Sequence, residues 1–196
     1  MSRENILKKI RTNKPAFQLL PEIDLKKFRT NLDLEEEFVK SVGSVGGKII
    51  KVENKEEIKR GIKSLFPDAK EIISLVDDVD VGTINPETIS SAKELEKLEL
   101  AIIKGEFGVA ENGAVWLSDK NFTHRSLPFI TLHLIIVLES ENIVENMHEA
   151  FLRLSDFNEG YGVFISGPSK TADIEQSLVI GAQAALSLNI FLIKNT

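Results

Sequence analysis

The stretch Ile165–Glu175, ISGPSKTADIE, is the most informative part of this sequence. A strand-like segment, Gly162–Ile165, enters a Gly167–Pro168 turn, and small, hydroxylated and charged residues then predict a helix over Ser169–Ile180. The first backbone N–H groups of a helix lack partners within the helix and carry partial positive charge. A strand–turn–helix of this kind therefore predicts an anion-binding loop.

Residue types in this loop suit such a site. The glycine lets a ligand approach the backbone, the proline fixes the turn, a lysine supplies a cation and two hydroxyls supply donors. An ordinary helix cap after an ordinary turn explains the same residues, and the spacing is not that of a P-loop. The predicted ligand-binding residues here are Gly167, Pro168, Ser169, Lys170, Thr171 and Asp173.

Composition narrows the class of protein. A chain of 196 residues with 42% hydrophobic residues suits one domain, or one domain with an arm. The net charge of −6 argues against a general nucleic-acid binder. The absence of cysteine removes disulfides and thiolate chemistry. A charged N-terminus and short apolar runs predict a cytoplasmic protein with no membrane segment.

Two regions can be distinguished along the chain. Residues 1–33 predict a short helix, with Ile6, Leu7 and Ile10 on one side, followed by an extended arm. The apolar positions of this region permit a homodimer. Residues 34–196 predict a single α/β domain.

Helical and strand patterns alternate at both ends of that domain, around a strand-rich centre. This order predicts a three-layer α/β/α domain with a largely parallel sheet and an antiparallel hairpin insertion. The predicted helices are 34–42, 55–65, 143–154 and 169–180. The predicted strands are 48–52, 71–76, 98–103, 107–111, 114–117, 131–138, 162–165 and 188–193.

Glu111 is the predicted catalytic residue. It precedes Asn112–Gly113, the strongest short signal for a hairpin, and a carboxylate held there is suited to act as nucleophile or general base. The alternative is a polar residue flanking a type I′ turn. We also predict that Asn112 and Gly113, in the same turn, contact a ligand. Arg125 is a further predicted contact, because an arginine can bind a carboxylate or phosphate through two hydrogen bonds.

The histidines predict no metal site. Their positions lack the spacing of metal-binding motifs. His133 lies within an apolar run, where a hydrogen-bonded core histidine is the ordinary expectation.

The segment Ser166–Glu175 resembles the signature of the LUD-domain family, in particular the lactate utilisation protein C group. Val109–Leu117 is similar to the strand–turn–strand of the same family, and Arg125 and Leu127–Pro128 follow in matching order. The resemblance covers roughly residues 34–194. The chain departs from the family at Asn112 and Ala114, where threonine is usual. Gly181–Ala185 also stands where the family has a Gly-x-His-Gly-Pro pattern.

This resemblance implies a fold like those of ribose-5-phosphate isomerases, glucosamine-6-phosphate deaminases and CoA transferases. It implies a CoA ester or a phosphorylated compound as ligand, and no cofactor held by the chain itself. Glu111 is similar in position to the nucleophilic glutamate of some CoA transferases.

The family also implies a role beside iron–sulfur subunits that oxidise L-lactate to pyruvate. A chain without cysteine would be the non-redox subunit or an accessory protein of that system. Two alternatives stay open. One is a stand-alone enzyme of the CoA-transferase or sugar-phosphate isomerase kind that uses Glu111. The other is a ligand-binding regulator without catalysis.

Overall fold

The computed structural model describes residues 2–19, 21, 24–28, 32–155, 157–158, 160–172, 178–181 and 185–194. Its α-helices are α1 (Arg3–Thr12), α2 (Leu34–Ser44), α3 (Lys55–Leu65), α4 (Leu127–Ile130) and α5 (Met147–Arg153). Its first six strands are β1 (Lys48–Val52), β2 (Ile72–Ser74), β3 (Leu100–Lys104), β4 (Phe107–Val109), β5 (Ala114–Ser118) and β6 (His133–Glu139). The remaining strands are β7 (Ile143–Val144), β8 (Gly162–Ile165), β9 (Lys170–Ala172), β10 (Leu178–Ile180) and β11 (Ser187–Ile193).

The main sheet is parallel throughout and has the strand order β1-β11-β6-β3-β2. Its central strands are continuous apolar runs, because a parallel sheet is covered on both faces. Leu134–Leu138 of β6 and Leu188–Leu192 of β11 are buried accordingly. The predicted α/β fold with a largely parallel sheet is confirmed.

Different elements cover the two faces of this sheet. On one face, Ile58 and Ile62 of α3 pack in a cluster with Phe191. On the other face, Phe38 and Val42 of α2 pack in a second cluster, together with residues of β5. Both helices begin at the predicted residues, 34 and 55. The side chains of Asp33 and Asn54, just before them, accept hydrogen bonds from backbone N–H groups of the first turn.

A second sheet, of order β7-β4-β5-β8, lies against the α2 face of the main sheet. Its inner side chains, Val115 and Leu117, join the main core. Its outer side chains include Phe107 and Trp116, which pack with α5. The β4–β5 pair is the hairpin that the sequence predicts, and β8 extends it in antiparallel register.

The predicted helix over residues 169–180 is wrong. Lys170–Ala172 and Leu178–Ile180 are strands that pair in antiparallel register, with Thr171 opposite Val179. Residues 173–177, including Asp173, lie outside the described residues. Hydroxylated residues after a turn are typical of a helix cap, whereas β-branched residues favour a strand. In this segment, backbone hydrogen bonds between β9 and β10 favour the strand over the helix.

The predicted helix over residues 143–154 is shorter than expected. Ile143–Val144 pairs with β4, and Asn146 then caps α5, which begins at Met147. Within this shorter helix, Phe151 is 62% exposed. The division of the chain at residue 33 stays a prediction.

No helix in the described part of the chain combines the length and apolar character that a bilayer span requires.

We predict that the stability of the protein decreases as the pH falls below about 6.5 because of His133. Its Nδ1 lies 2.8 Å from Ser187 Oγ, and burial lowers the pKa of the ring. The unfolded chain therefore binds the proton more readily, so the free energy of unfolding is full above the ordinary pKa and falls as the pH decreases below it. Urea unfolding at a series of pH values measures this slope.

The control for this experiment is the variant His133→Gln, which should flatten the slope within the same pH interval. Above the ordinary histidine pKa, the wild-type protein and the variant should show parallel curves. An equal slope for both proteins below about pH 6.5 would assign the effect to other groups.

Candidate functional site

The hairpin turn before β5 differs from the predicted type. Four residues, Ala110–Gly113, connect the paired Val109 and Ala114. Within them only Gly113 has a positive φ, of 66°, so the turn is not type I′, which needs two such residues. Instead, Asn112 Oδ1 accepts a hydrogen bond from the backbone N–H of Ala114 at 3.0 Å. The asparagine thus closes the turn through its side chain.

The Gly113 turn and the Gly167 loop meet at the end of α2. A Cβ at position 113 would lie 2.6 Å from the backbone nitrogen of Val42. A Cβ at position 167 would lie 2.4 Å from the carbonyl oxygen of Val45, and Gly167 has a φ of 74°. Ser166 Oγ also donates a hydrogen bond to the carbonyl oxygen of Asn112 at 2.9 Å. The structure therefore brings the two motifs together, and both pack against the end of α2.

The Gly167 loop does not begin a helix among the described residues, which corrects the physical basis of the predicted anion site. The backbone N–H of Ser169 donates to the carbonyl oxygen of Ala185 at 3.0 Å. Pro168 is buried, and the exposed Lys170 begins β9. The donors that a helix N-terminus would offer are therefore replaced by paired strand backbone. The side chain of Thr171, like Asp173, lies outside the described residues.

The Gly167 loop also lies at a different edge of the fold from the one where ligands usually bind. It follows β8, which belongs to the second sheet. Its neighbours Gly46 and Ala185 precede β1 and β11, so the loop lies at the amino ends of the parallel strands. Ligands of open α/β sheets usually bind beyond the carboxyl ends.

The carboxylate of Glu111 has a defined structural partner. Its Oε2 accepts a hydrogen bond from the backbone N–H of Met147, the first residue of α5, at 2.8 Å. Asn146 and Glu149 cap the same helix from within the chain segment itself. Glu111 therefore adds a long-range cap to α5. Sequence reasoning missed this role because the two residues are far apart in the chain.

Glu111 also lines a hollow of about 450 Å³, here called the Glu111 hollow. Its apolar wall contains Phe28, Leu32, Leu34 and Ala110. Its polar rim contains Glu37, Glu111, Glu145 and His148. Its described lining residues include three carboxylates and no lysine or arginine, and Lys40, outside this lining, pairs with Glu37 at 3.3 Å. A hollow of this charge favours a cationic or apolar group over a phosphate or a CoA ester.

Arg125 lies away from both motif loops. Its Nε and Nη2 donate to the two carboxylate oxygens of Asp119, at 3.0 and 2.7 Å. This ion pair raises the pKa of the guanidinium, which also lies 5.1 Å from the centre of the Tyr161 ring. The antiparallel pairing of β5 and β8 places Tyr161 and Ser166 at opposite ends of β8. The structure thus does not bring Arg125 to the Gly167 loop.

A second cavity, of about 330 Å³, lies where parallel strands end, and we call it the strand-end cavity. Its lining residues include Lys51 of β1, Lys194 after β11 and Ser140 after β6. Lys51 forms an ion pair with Glu35 at 2.5 Å, and that bond raises the pKa of Lys51. Sequence reasoning did not select these residues. The available signal was a lysine at the end of two predicted parallel strands.

We predict that Gly113→Ala destabilises the fold by about 2 kcal/mol or more, since the new methyl group meets backbone atoms of α2 and the φ is unfavourable. Gly43→Ala is the matched control, because a Cβ there has no neighbour within 4 Å and alanine favours a helix by about 1 kcal/mol. Urea midpoints of the two variants should move in opposite directions. Equal midpoints would contradict the tight contact between the Gly113 turn and α2.

The structure resembles that of a DUF162 family protein from Deinococcus radiodurans. The TM-score is 0.65 at 15% sequence identity, over 82% of this chain and 96% of that chain. At this identity the likeness shows the fold alone.

Curated relatives share more of the sequence. The lactate utilization protein C of Bacillus pumilus is 33% identical over 92 residues, which cover 44% of this chain and 38% of that protein. Its counterpart from Shouchella clausii is 31% identical over 52% of this chain and 47% of that protein. The counterpart from Geobacillus thermodenitrificans is 26% identical over 72% and 60%. This chain thus spans less than two thirds of the length of each.

The LUD domain family model matches residues 86–193, which are more than half of the chain. That range contains the Gly113 turn, the Gly167 loop and three of the five strands of the described main sheet, β3, β6 and β11, whereas β1 and β2 precede it. The chain belongs to the LUD domain family.

Proposed function

We propose that this protein is a non-redox subunit or accessory protein of a system that oxidises L-lactate to pyruvate. The observation that carries the proposal is its membership of the LUD family together with relatives named lactate utilization protein C. In this proposal the partner subunits hold the iron–sulfur clusters and transfer the electrons.

The amino-acid composition supports the assignment of the iron–sulfur clusters to partner subunits. Iron–sulfur clusters are held chiefly by cysteine thiolates. The 196 residues contain no cysteine, so any such cluster has to be held by a partner. This chain would contribute a binding surface, a ligand site, or both.

The decisive experiment deletes the gene and measures growth on L-lactate as sole carbon source. We expect growth on lactate to fail and growth on glucose to continue, because only lactate oxidation needs the complex. A tagged copy of the chain should restore growth and should co-purify with a cysteine-rich iron–sulfur protein. Normal growth of the deletion strain on lactate would refute the proposal.

A site for an anionic ligand at the Gly167 loop forms the second part of the proposal. Its support is the exposed cation of Lys170, held beside a buried Gly167 and Pro168. The ligand class is a phosphorylated compound or a CoA ester. Because the site lacks a helix N-terminus among the described residues, Lys170 has to supply most of the attraction.

We predict that Lys170→Gln weakens the binding of CoA or inorganic phosphate by about tenfold, the value expected for losing a charge-assisted hydrogen bond. Lys194→Gln is the matched control, because it removes a cation from the strand-end cavity instead. Isothermal titration measures both. Loss of binding in Lys194→Gln but not in Lys170→Gln would move the ligand to the strand-end cavity.

Variants of Glu111 test whether the protein is an enzyme that uses this residue or a regulator without catalysis. The bond from its carboxylate to the Met147 N–H favours a cap, so Glu111→Gln should preserve function. Glu111→Ala should lower the stability by about 1 kcal/mol, as the loss of a helix cap does. Complementation of lactate growth and thermal unfolding measure these two effects. If Glu111→Gln abolished turnover while ligand binding persisted, the enzyme alternative would hold.

A further inference from the structure

The apolar side of α1 is uncovered in the described structure. Ile6, Leu7 and Ile10 lie on one side of the helix and are between 37% and 54% exposed. No residue of α1 is buried. Beyond the helix, Phe17 and Leu19 are almost completely exposed. Apolar side chains that follow one helical face are typical of a helix that packs against another surface.

The charge of this segment is opposite to that of the rest of the protein. Residues 1–19 carry five lysines and arginines and one glutamate, which gives a net charge of +4. Since the whole chain carries −6, residues 20–196 carry −10. The segment and the body of the protein are therefore electrostatically complementary.

The Glu111 hollow has the properties that α1 requires of a binding site. Its wall is apolar at Leu34 and Ala110, and its rim carries the carboxylates of Glu37, Glu111 and Glu145. A helix that presents aliphatic side chains flanked by lysines and arginines matches an apolar groove flanked by carboxylates. Phe28 and Leu32, which belong to the arm after α1, already contact this hollow.

We propose that α1 of one chain binds the Glu111 hollow of a second copy, which forms a dimer with reciprocally exchanged N-terminal helices. The segment between α1 and α2 has about twenty residues and can span up to about 70 Å, so it reaches a neighbouring molecule. A two-fold axis forms the same contact twice, which doubles the buried surface. The stripe lacks aromatic residues and the body is acidic, so a second copy fits better than an anionic membrane surface.

The test measures the oligomeric state by light scattering and sedimentation velocity over a range of concentrations. The wild-type chain of 21.8 kDa should show twice that mass. The double variant Leu7→Glu, Ile10→Glu should be monomeric, because carboxylates replace the aliphatic contacts. Thr12→Glu is the matched control, since it adds a carboxylate on the opposite side of α1 and should remain dimeric.

A second pair of variants tests the hollow itself. Glu37→Lys should weaken the dimer at least about fivefold, because it reverses a charge on the rim. Glu87→Lys makes the same change at a residue outside the hollow and should have no effect. Adding Arg11→Glu to Glu37→Lys should restore part of the affinity.

Three results would overturn the proposal. A wild-type chain that stays monomeric at high concentration excludes the dimer. If this monomer also sediments with vesicles of anionic phospholipid, α1 binds membranes instead. Equal behaviour of the Leu7→Glu, Ile10→Glu variant and Thr12→Glu excludes the apolar stripe. A dimer that is insensitive to Glu37→Lys places the contact elsewhere. None of these measurements depends on lactate oxidation, so the proposed function and the dimer can fail separately.

Discussion

The contact of two glycine turns with the end of α2 organises this protein. Gly113 and Gly167 both approach backbone atoms of residues 42–45 at distances that leave no room for a side chain. The Gly113 turn joins β4 and β5 of the second sheet, and the Gly167 loop follows β8, the last strand of that sheet along the chain. The helix end therefore fixes that sheet against the main sheet. It also explains why both turns need glycine for packing as well as for their φ values.

The same contact changes the chemical meaning of the family motifs. The segments that resemble an anion-binding loop and the turn of a nucleophilic glutamate are brought close together, and both pack against the end of α2. Glu111 turns instead toward α5, and the cations of the second cavity lie beyond the other end of the parallel strands. The motif residues thus have a structural role in joining the two sheets to α2. A ligand site at Lys170 would lie at the exposed surface beside this contact.

Much of the fold was predictable from the sequence, because the signals there are local. Continuous apolar runs predicted β6 and β11, helical patterns predicted where α2 and α3 start, and Asn112–Gly113 predicted a hairpin. The errors arose where partners distant in the chain decide the structure. The strand pairing of residues 170–172 with 178–180 overrode a pattern typical of a helix cap, and β7 took the first residues of an expected helix.

For the candidate site, sequence reasoning identified residues but not their environment. It could not show that Arg125 donates two hydrogen bonds to the carboxylate of Asp119, because such a pair depends on how the loop folds. Nor could it show that a hollow beside Glu111 is acidic, since Glu37 and Glu145 come from separate elements.

The order of strands in the main sheet has a consequence for biosynthesis. Residues 48–52 form an edge strand whose described neighbour in the sheet is β11, which starts at residue 187. While the ribosome is still adding the intervening residues, the first strand lacks this partner and its apolar side chains stay exposed to solvent. Contacts of such long range slow folding and favour aggregation of incomplete chains. The strand order therefore makes completion of the main sheet depend on the synthesis of residues 187–193.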